Sequence, residues 1–279
     1  MPELPEVETM VRGVRPHLLD RQIVSTEFCA CDRKPISVDP QRPAFQRQIR
    51  EARIEDVQRL AKRITIVLNR CRYLVIEPRM TGLLLVSTPP TQAHRRILWK
   101  LNDVRGRAPS FEFWDRRGLG TVRLLDQDAM EALRLRLGPD PLSISVEQWT
   151  KQLSKTQRPI KNALLDQQLV VGIGNIYASE ILHRARISPT APAASLSVAR
   201  ITRLANASKE ILNEAIRYEG STLEDGTYRN ALNQQGSYQN KHSVYKKDGT
   251  ICPSCKTESI RRIVQAQRST FYCPRCQCR

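Results

Sequence analysis

No stretch of the chain approaches the roughly 18 consecutive apolar residues of a membrane span, and the first residues lack the apolar run of a secretory signal. A spanning anchor and a signal peptide are therefore not expected, and the cytoplasm is the expected address. No alternation of strand and helix patterns runs through the sequence, which argues against a parallel nucleotide-binding sheet. No internal repeat is visible either. Acid is in short supply: 28 Asp and Glu stand against 45 Lys and Arg, a formal net charge of +17. An excess of that size on a non-repetitive chain points to a polyanion partner, of which nucleic acid is the commonest. A membrane surface fits less well, because the basic residues are spread along the chain rather than gathered on one amphipathic helix.

The 279 residues suffice for about two domains, each with its own core. Val7, Met10, Val11, Val14 and Leu18 recur at helical spacing, so an amphipathic helix is expected over 5–19. From residue 22 to 126 the pattern shifts to short β-type runs, at 23–28, 64–68, 73–76, 83–86, 97–101, 111–114 and 121–125, which predict a β-sandwich or barrel. Leu137-Gly138-Pro139-Asp140-Pro141-Leu142 is the clearest break, and helical patterns follow it at 145–153, 160–166, 176–186 and 197–218. The polar stretch 220–247 has no core pattern and reads either as a long functional loop or as a disordered segment. The expected fold class is α+β: an N-terminal β-sandwich domain with a leading helix over 1–137, a linker over 138–143, a helical domain over 144–240 that includes the polar loop, and a finger over 241–279.

Eight cysteines are present, and four of them form the pattern C-x2-C-x17-C-x2-C at Cys252, Cys255, Cys273 and Cys276. That spacing belongs to a four-cysteine zinc ribbon: each pair offers two thiolates from one tight turn, and a hairpin returns the second pair to the first. One structural zinc ion is expected, since four thiolates leave no open position for catalysis. Cys278 falls outside the pattern and reads as a free thiol. Nine Lys or Arg accompany only Asp248 and Glu258 between Lys241 and Arg279, the balance of a DNA-contacting module. Between two helical patterns, Gly172-Ile173-Gly174-Asn175 can place backbone amides at a helix start, a site for a phosphate oxygen; a plain helix-turn-helix corner explains the same residues.

The opening Met1-Pro2-Glu3-Leu4-Pro5-Glu6-Val7-Glu8 carries two readings. It is a helix entry, with Pro5 in the first turn and acids at the positive end of the dipole. It is also a reactive terminus: removal of the initiator Met would leave Pro2 with a secondary amine, whose adduct with an aldehyde is an iminium, a permanent electron sink, beside carboxylates able to move protons.

Together the Pro2–Thr9 start, the Gly-Ile-Gly-Asn-Ile-Tyr-Ala turn and the finger ending Gln267-Arg268-Ser269-Thr270-Phe271-Tyr272-Cys273 resemble bacterial formamidopyrimidine-DNA glycosylase, over the whole chain and in the same order. The resemblance implies a helix-two-turns-helix motif in the helical domain. It also implies a monomeric, cytoplasmic, nucleoid-associated enzyme that removes 8-oxoguanine and ring-opened purines from double-stranded DNA and cuts at the abasic site. Carried over by position, Pro2 is the Schiff-base nucleophile, Glu3 the proton donor, Glu6 a supporting carboxylate and Lys62 the active-site lysine. Met80 and Leu119 take wedge positions in the hole left by the everted base, and Arg117 faces the orphaned cytosine. Lys161, Asn175 and Arg268 take DNA-binding positions, and the polar loop takes the place of the segment that closes over the base.

Two departures stand out. Glu77-Pro78-Arg79 precedes Met80 where the family commonly has His-Leu-Gly, and Leu119 replaces an aromatic residue, removing a stacking surface worth about 1–3 kcal/mol per base. Two other readings bear weighing. A related glycosylase for oxidised pyrimidines usually has Gly where this chain has Leu4, and a non-catalytic DNA-binding zinc protein would have no need of the unmodified start or of Lys62.

Overall fold

A computed structural model describes residues 2–103 and 109–278. Met1, whose removal the sequence reading expects, lies outside them. The chain divides into two compact units, Met1–Leu135 with Tyr218–Gln239, and Arg136–Arg217 with Asn240–Arg279.

The first unit opens with helix α1 (Leu4–Leu18), whose Val7, Met10, Val14 and Leu18 are fully buried at the spacing read from the sequence. Eleven strands occur among the described residues, nine of them here. One sheet runs β1 (Ile23–Phe28), β7 (Arg95–Leu101), β8 (Ser110–Asp115), β6 (Gly82–Leu85); the other runs β2 (Ser37–Asp39), β9 (Thr121–Leu125), β5 (Arg72–Glu77), β4 (Arg63–Leu68), β3 (Ile54–Leu60). All pairings are antiparallel except β2 with β9. Alternate residues of both sheets, among them Ile64, Ile66, Leu74, Ile76, Ile97, Trp99, Phe111 and Phe113, form one core with the apolar face of α1. Trp99 stacks on Phe111 at 4.7 Å between ring centroids.

Strand β3 carries no clear alternation in the sequence because a bulge between Ile54 and Asp56 shifts its register and leaves only Ile54 and Val57 buried. Helix α2 (Arg42–Ile49) is similarly faint, with Phe45 and Ile49 as its only buried residues. Helix α3 (Gln127–Leu135) buries Met130 alone.

The polar segment departs most from expectation. Assigned from sequence to the helical domain, Tyr218–Gln239 belongs to the first unit. Tyr228 and Ala231 enter its core, Ala231 O accepts from Val86 N at 3.0 Å, and Thr88 O accepts from Asn233 Nδ2 at 3.0 Å. A few isolated anchors fasten the segment, and isolated anchors leave no period in a sequence.

In the second unit, α4 (Val146–Leu153), α5 (Ile160–Leu164), α6 (Asn175–Arg184) and α7 (Val198–Arg217) pack around Trp149, Leu164, Tyr177, Ile181, Leu204 and Leu212. Ser145 caps α4 by accepting from Gln148 N at 3.2 Å while Gln148 Oε1 accepts from Ser145 N at 2.9 Å. A hairpin, β10 (Arg261–Gln265) and β11 (Arg268–Tyr272), packs against α6.

Candidate active site and nucleic-acid interface

Glu3 and Glu6 lie at the entry of α1, 2% and 1% exposed, and Pro2 before them is also buried. Glu3 is the N-cap and Glu6 the third helical residue, so the backbone N–H of Glu3 donates to Glu6 Oε2 at 2.9 Å. The other carboxylate oxygen, Oε1, accepts from Ser221 N at 2.8 Å. Gly220, at φ +77°, makes that contact possible, since a Cβ there would stand 2.8 Å from both Glu6 Cγ and Oε1. Tyr228 donates to Glu219 O at 3.0 Å, and burial, with Glu6 and Glu219 nearby, pushes its hydroxyl pKa well above the ordinary value. The polar segment is thus fastened to the residues beside Pro2, a partnership 215 positions apart in sequence.

Lys62 sits half-buried in the two-residue turn between β3 and β4, where Leu60 pairs with Arg63 and Ala61 adopts φ +58°. Both strands pack against α1. Arg59 ties the turn to that helix, donating to Glu8 Oε2 at 2.9 Å and to Ala61 O at 3.3 Å. Burial raises the Glu8 carboxyl, but the guanidiniums of Arg12 and Arg59 outweigh it and leave the pKa below its usual value.

Met80 is 37% exposed, Arg117 is exposed and Leu119 half-buried. One fully buried carboxylate, Asp115, holds their two loops in register. Its Oδ1 accepts from the Thr81 hydroxyl and, at 3.1 Å, from Arg117 N; its Oδ2 accepts from Gly120 N at 2.8 Å. Gly118 is required by the same loop, because at φ +64° a Cβ would come within 1.8 Å of Lys34 O. Glu77 does not stand as a bare acid before Met80: Arg63 Nε approaches it at 3.2 Å and Arg79 Nε at 3.3 Å. Sequence reasoning missed Asp115, Arg59 and Ser221. None of the three has a signal in the sequence, because each acts through a contact with a distant element.

In the second unit, Asn175 is the first residue of α6, directly after Gly174. Lys161 has no exposed surface at all. Its ammonium donates to Asn175 Oδ1 at 2.7 Å, Ser269 O at 2.9 Å and Thr270 Oγ1 at 2.6 Å, while Asn175 Nδ2 donates to Ser269 O at 3.0 Å. Lys161 thus clamps the glycine turn to the hairpin. Arg268 is exposed at the head of β11, next to the turn residues Ala266 (φ +46°) and Gln267 (φ +60°). Two positive φ values match the twist of a two-residue hairpin, at a steric cost that glycine would avoid. Glu180, unforeseen from sequence, is buried on α6 and accepts from the N–H groups of Ser243, Val244 and Tyr245 at 2.8–3.0 Å, fixing the entry to the finger; burial raises its pKa against the pull of those amides.

The four Sγ atoms of Cys252, Cys255, Cys273 and Cys276 lie within 4.8 Å of one another, with 3.9 Å from Cys252 to Cys276 and 3.7 Å from Cys255 to Cys273. Zn–S bonds of about 2.3 Å in a tetrahedron require edges of about 3.8 Å, which the Cys252–Cys276 and Cys255–Cys273 pairs match, so the donor set fits one zinc ion. Val244, Ile260 and Phe271 pack around the cysteines as a small separate core. Among the described residues no helix is long and apolar enough to cross a membrane.

Three family models match in sequence order: the formamidopyrimidine-DNA glycosylase N-terminal domain over residues 1–122, its H2TH domain over 137–227, and the zinc finger found in FPG and IleRS over 250–278. Formamidopyrimidine-DNA glycosylase of Chloroflexus aggregans is 41% identical across 99% of this chain and 98% of its own length, and that of Thermus thermophilus is 39% identical over the same shares. Among solved structures, MutM (Fpg) of T. thermophilus superposes with a TM-score of 0.85 at 37% identity, covering 99% of this chain and 98% of that one. Lactococcus lactis Fpg with an abasic-site DNA superposes at 0.87 and 30% identity, covering 99% and 100%. Similarity of this degree over nearly the full length of these relatives, with the family models matching in order, shows that the chain belongs to the formamidopyrimidine-DNA glycosylase family.

Proposed function

We propose that this chain is a bifunctional base-excision repair enzyme, releasing oxidised purines such as 8-oxoguanine and formamidopyrimidines from duplex DNA and cutting the abasic site that results. The observation that carries the reading is a pair of almost wholly buried carboxylates, Glu3 and Glu6, within one helical turn of Pro2. With Met1 removed, the Pro2 amine attacks C1′ of the damaged nucleoside as the C1′–N bond breaks and the base leaves with a proton. A Lys62 ammonium close to that amine opposes its protonation and so favours the nucleophilic form. Glu3 protonates O4′ as the C1′–O4′ bond opens, which leaves the iminium between C1′ and the Pro2 nitrogen, and Glu6, held by Ser221 N and Glu3 N, fixes the terminus. The iminium acidifies the C2′ proton; its removal expels the 3′ phosphate, and a second elimination expels the 5′ phosphate.

Met80, Arg117 and Leu119 fill the duplex where the base has left, Arg117 toward the orphaned cytosine, and Asn175 and Arg268 bind backbone phosphates. Lys161 acts through Asn175 and the hairpin rather than by touching DNA. The zinc ion, when bound, supplies no chemistry at the lesion; its four thiolates hold the hairpin that carries Arg268. The enzyme works as a monomer in the cytoplasm, on the nucleoid. Borohydride reduction during turnover of an 8-oxoguanine duplex traps a covalent adduct, and peptide mapping is expected to place it at Pro2. An adduct elsewhere removes Pro2 from this role, and equal turnover of a thymine glycol duplex contradicts the purine assignment.

A further inference from the structure

Away from these residues, four arginines gather on one concave surface of the second unit. Arg186 follows α6, Arg200 and Arg203 occupy the first two turns of α7, and Arg275 lies between Cys273 and Cys276; with Ser254, Cys255, Cys276 and Cys278 they line a cavity of about 420 Å³. None of the four pairs with a carboxylate among the described residues, in contrast to the paired Arg12, Arg15, Arg53, Arg59, Arg63, Arg79, Arg95, Arg158 and Arg184. Two of the guanidiniums are oriented from behind: Arg203 Nε donates to Ala185 O at 3.2 Å and Arg275 Nη1 to Thr257 Oγ1 at 2.6 Å.

This arrangement opposes stability. Four like charges repel one another, and no acid in the first turn of α7 compensates the cations set at the positive end of its dipole. Balancing the thiolates explains only part of it. A zinc dication with four thiolates carries a net charge of about −2, half of what four guanidiniums bring. The cavity walls offer no aromatic face on which a base could stack, so the feature they recognise is charge. Guanidiniums converging without a carboxylate partner, and only half balanced by the zinc-bound thiolates, suit phosphate, which they bind by paired N–H donors.

We propose that this cavity is a second phosphate-binding site, separate from the residues that engage the lesion. Arg268 begins β11 and Cys273 follows its end, so five residues of strand, roughly 16 Å at 3.3 Å each, separate the hairpin turn from the cysteine end where the cavity lies. Its phosphate comes either from the backbone of a further nucleic-acid segment or from a free phosphate compound.

The test compares the zinc-loaded wild type with a triple variant, Arg200→Gln, Arg203→Gln and Arg275→Gln. Binding of inorganic pyrophosphate, measured by calorimetry, is expected to weaken at least tenfold, with zinc content and cutting of a short lesion duplex unchanged and thermal stability equal or higher. On a duplex of about 60 base pairs, the slope of log affinity against log salt should fall by about 2–3, at about 0.9 per lost contact, if DNA is the source. An unchanged slope with weakened pyrophosphate binding supports the site and names a free phosphate compound as its ligand. Unaltered pyrophosphate binding together with an unaltered slope overturns the proposal. Loss of zinc from the variant overturns it as well, because the arginines then serve the thiolates.

Discussion

Gly220→Ala separates the contact that anchors the polar segment at Glu6 from the mere presence of the segment. The added Cβ meets Glu6 Cγ and Oε1 at 2.8 Å, below any normal contact, so either Glu6 leaves Ser221 N or residues 219–221 shift. A non-glycine residue in the left-handed region costs about 1–2 kcal/mol and overpacking of a filled site about 1–3 kcal/mol. The expected loss is therefore about 2–5 kcal/mol. Gly226 supplies the control. At φ +60° it shares the backbone strain but has nothing within 4 Å of its Cβ, so Gly226→Ala should lose only the first part. Urea denaturation of both variants isolates the clash as their difference. Single-turnover base release should slow in Gly220→Ala at saturating DNA, because Glu6 also holds the N–H of Glu3. Equal destabilisation of the two variants, with wild-type base release by Gly220→Ala, would falsify the coupling.

Three further outcomes follow from the geometry. Lys161→Met leaves the acceptors of Asn175, Ser269 and Thr270 without that donor inside the protein; at about 1–2 kcal/mol each it should cost about 3–6 kcal/mol in denaturant titration and weaken DNA binding, whereas full stability would show the ammonium to be dispensable. Glu8 has a folded pKa below its ordinary 4.5, so its contribution is complete above that value and is lost as pH falls through the folded pKa; Glu8→Gln should flatten the acid limb of the stability profile below about pH 4.5, and an unchanged limb would show the Arg12 and Arg59 pairings to be inert. Cys278→Ser should retain one zinc per chain by elemental analysis while Cys252→Ser loses it, since only Cys252 belongs to the four clustered thiolates.

Some features were legible because their determinants are local. The zinc ribbon follows from two C-x2-C turns, each of which brings its thiolates together without help from the rest of the fold. Helix α1 follows from Val7, Met10, Val14 and Leu18 on one face, and strands such as β4 and β5 from dense β-branched runs. The resemblance to the glycosylase family rests on equally local strings at the start, the glycine turn and the finger. Strand β3 and helix α2 were not legible: a bulge breaks the alternation of one, and two buried residues are too few to show the period of the other.

By itself the sequence determined the α+β class, the polyanion partner implied by its charge, the metal and its four ligands, and the family. Tertiary structure alone decided which groups serve those ends. It took Tyr218–Gln239 from the helical unit and fastened it to Glu6, buried Lys161 as a clamp between the glycine turn and the hairpin, and gave Asp115 command of two loops. Each of these is a contact between residues tens to hundreds of positions apart, made by single side chains. Such contacts have no period and no fixed spacing, and they exist only once the strands and helices have packed.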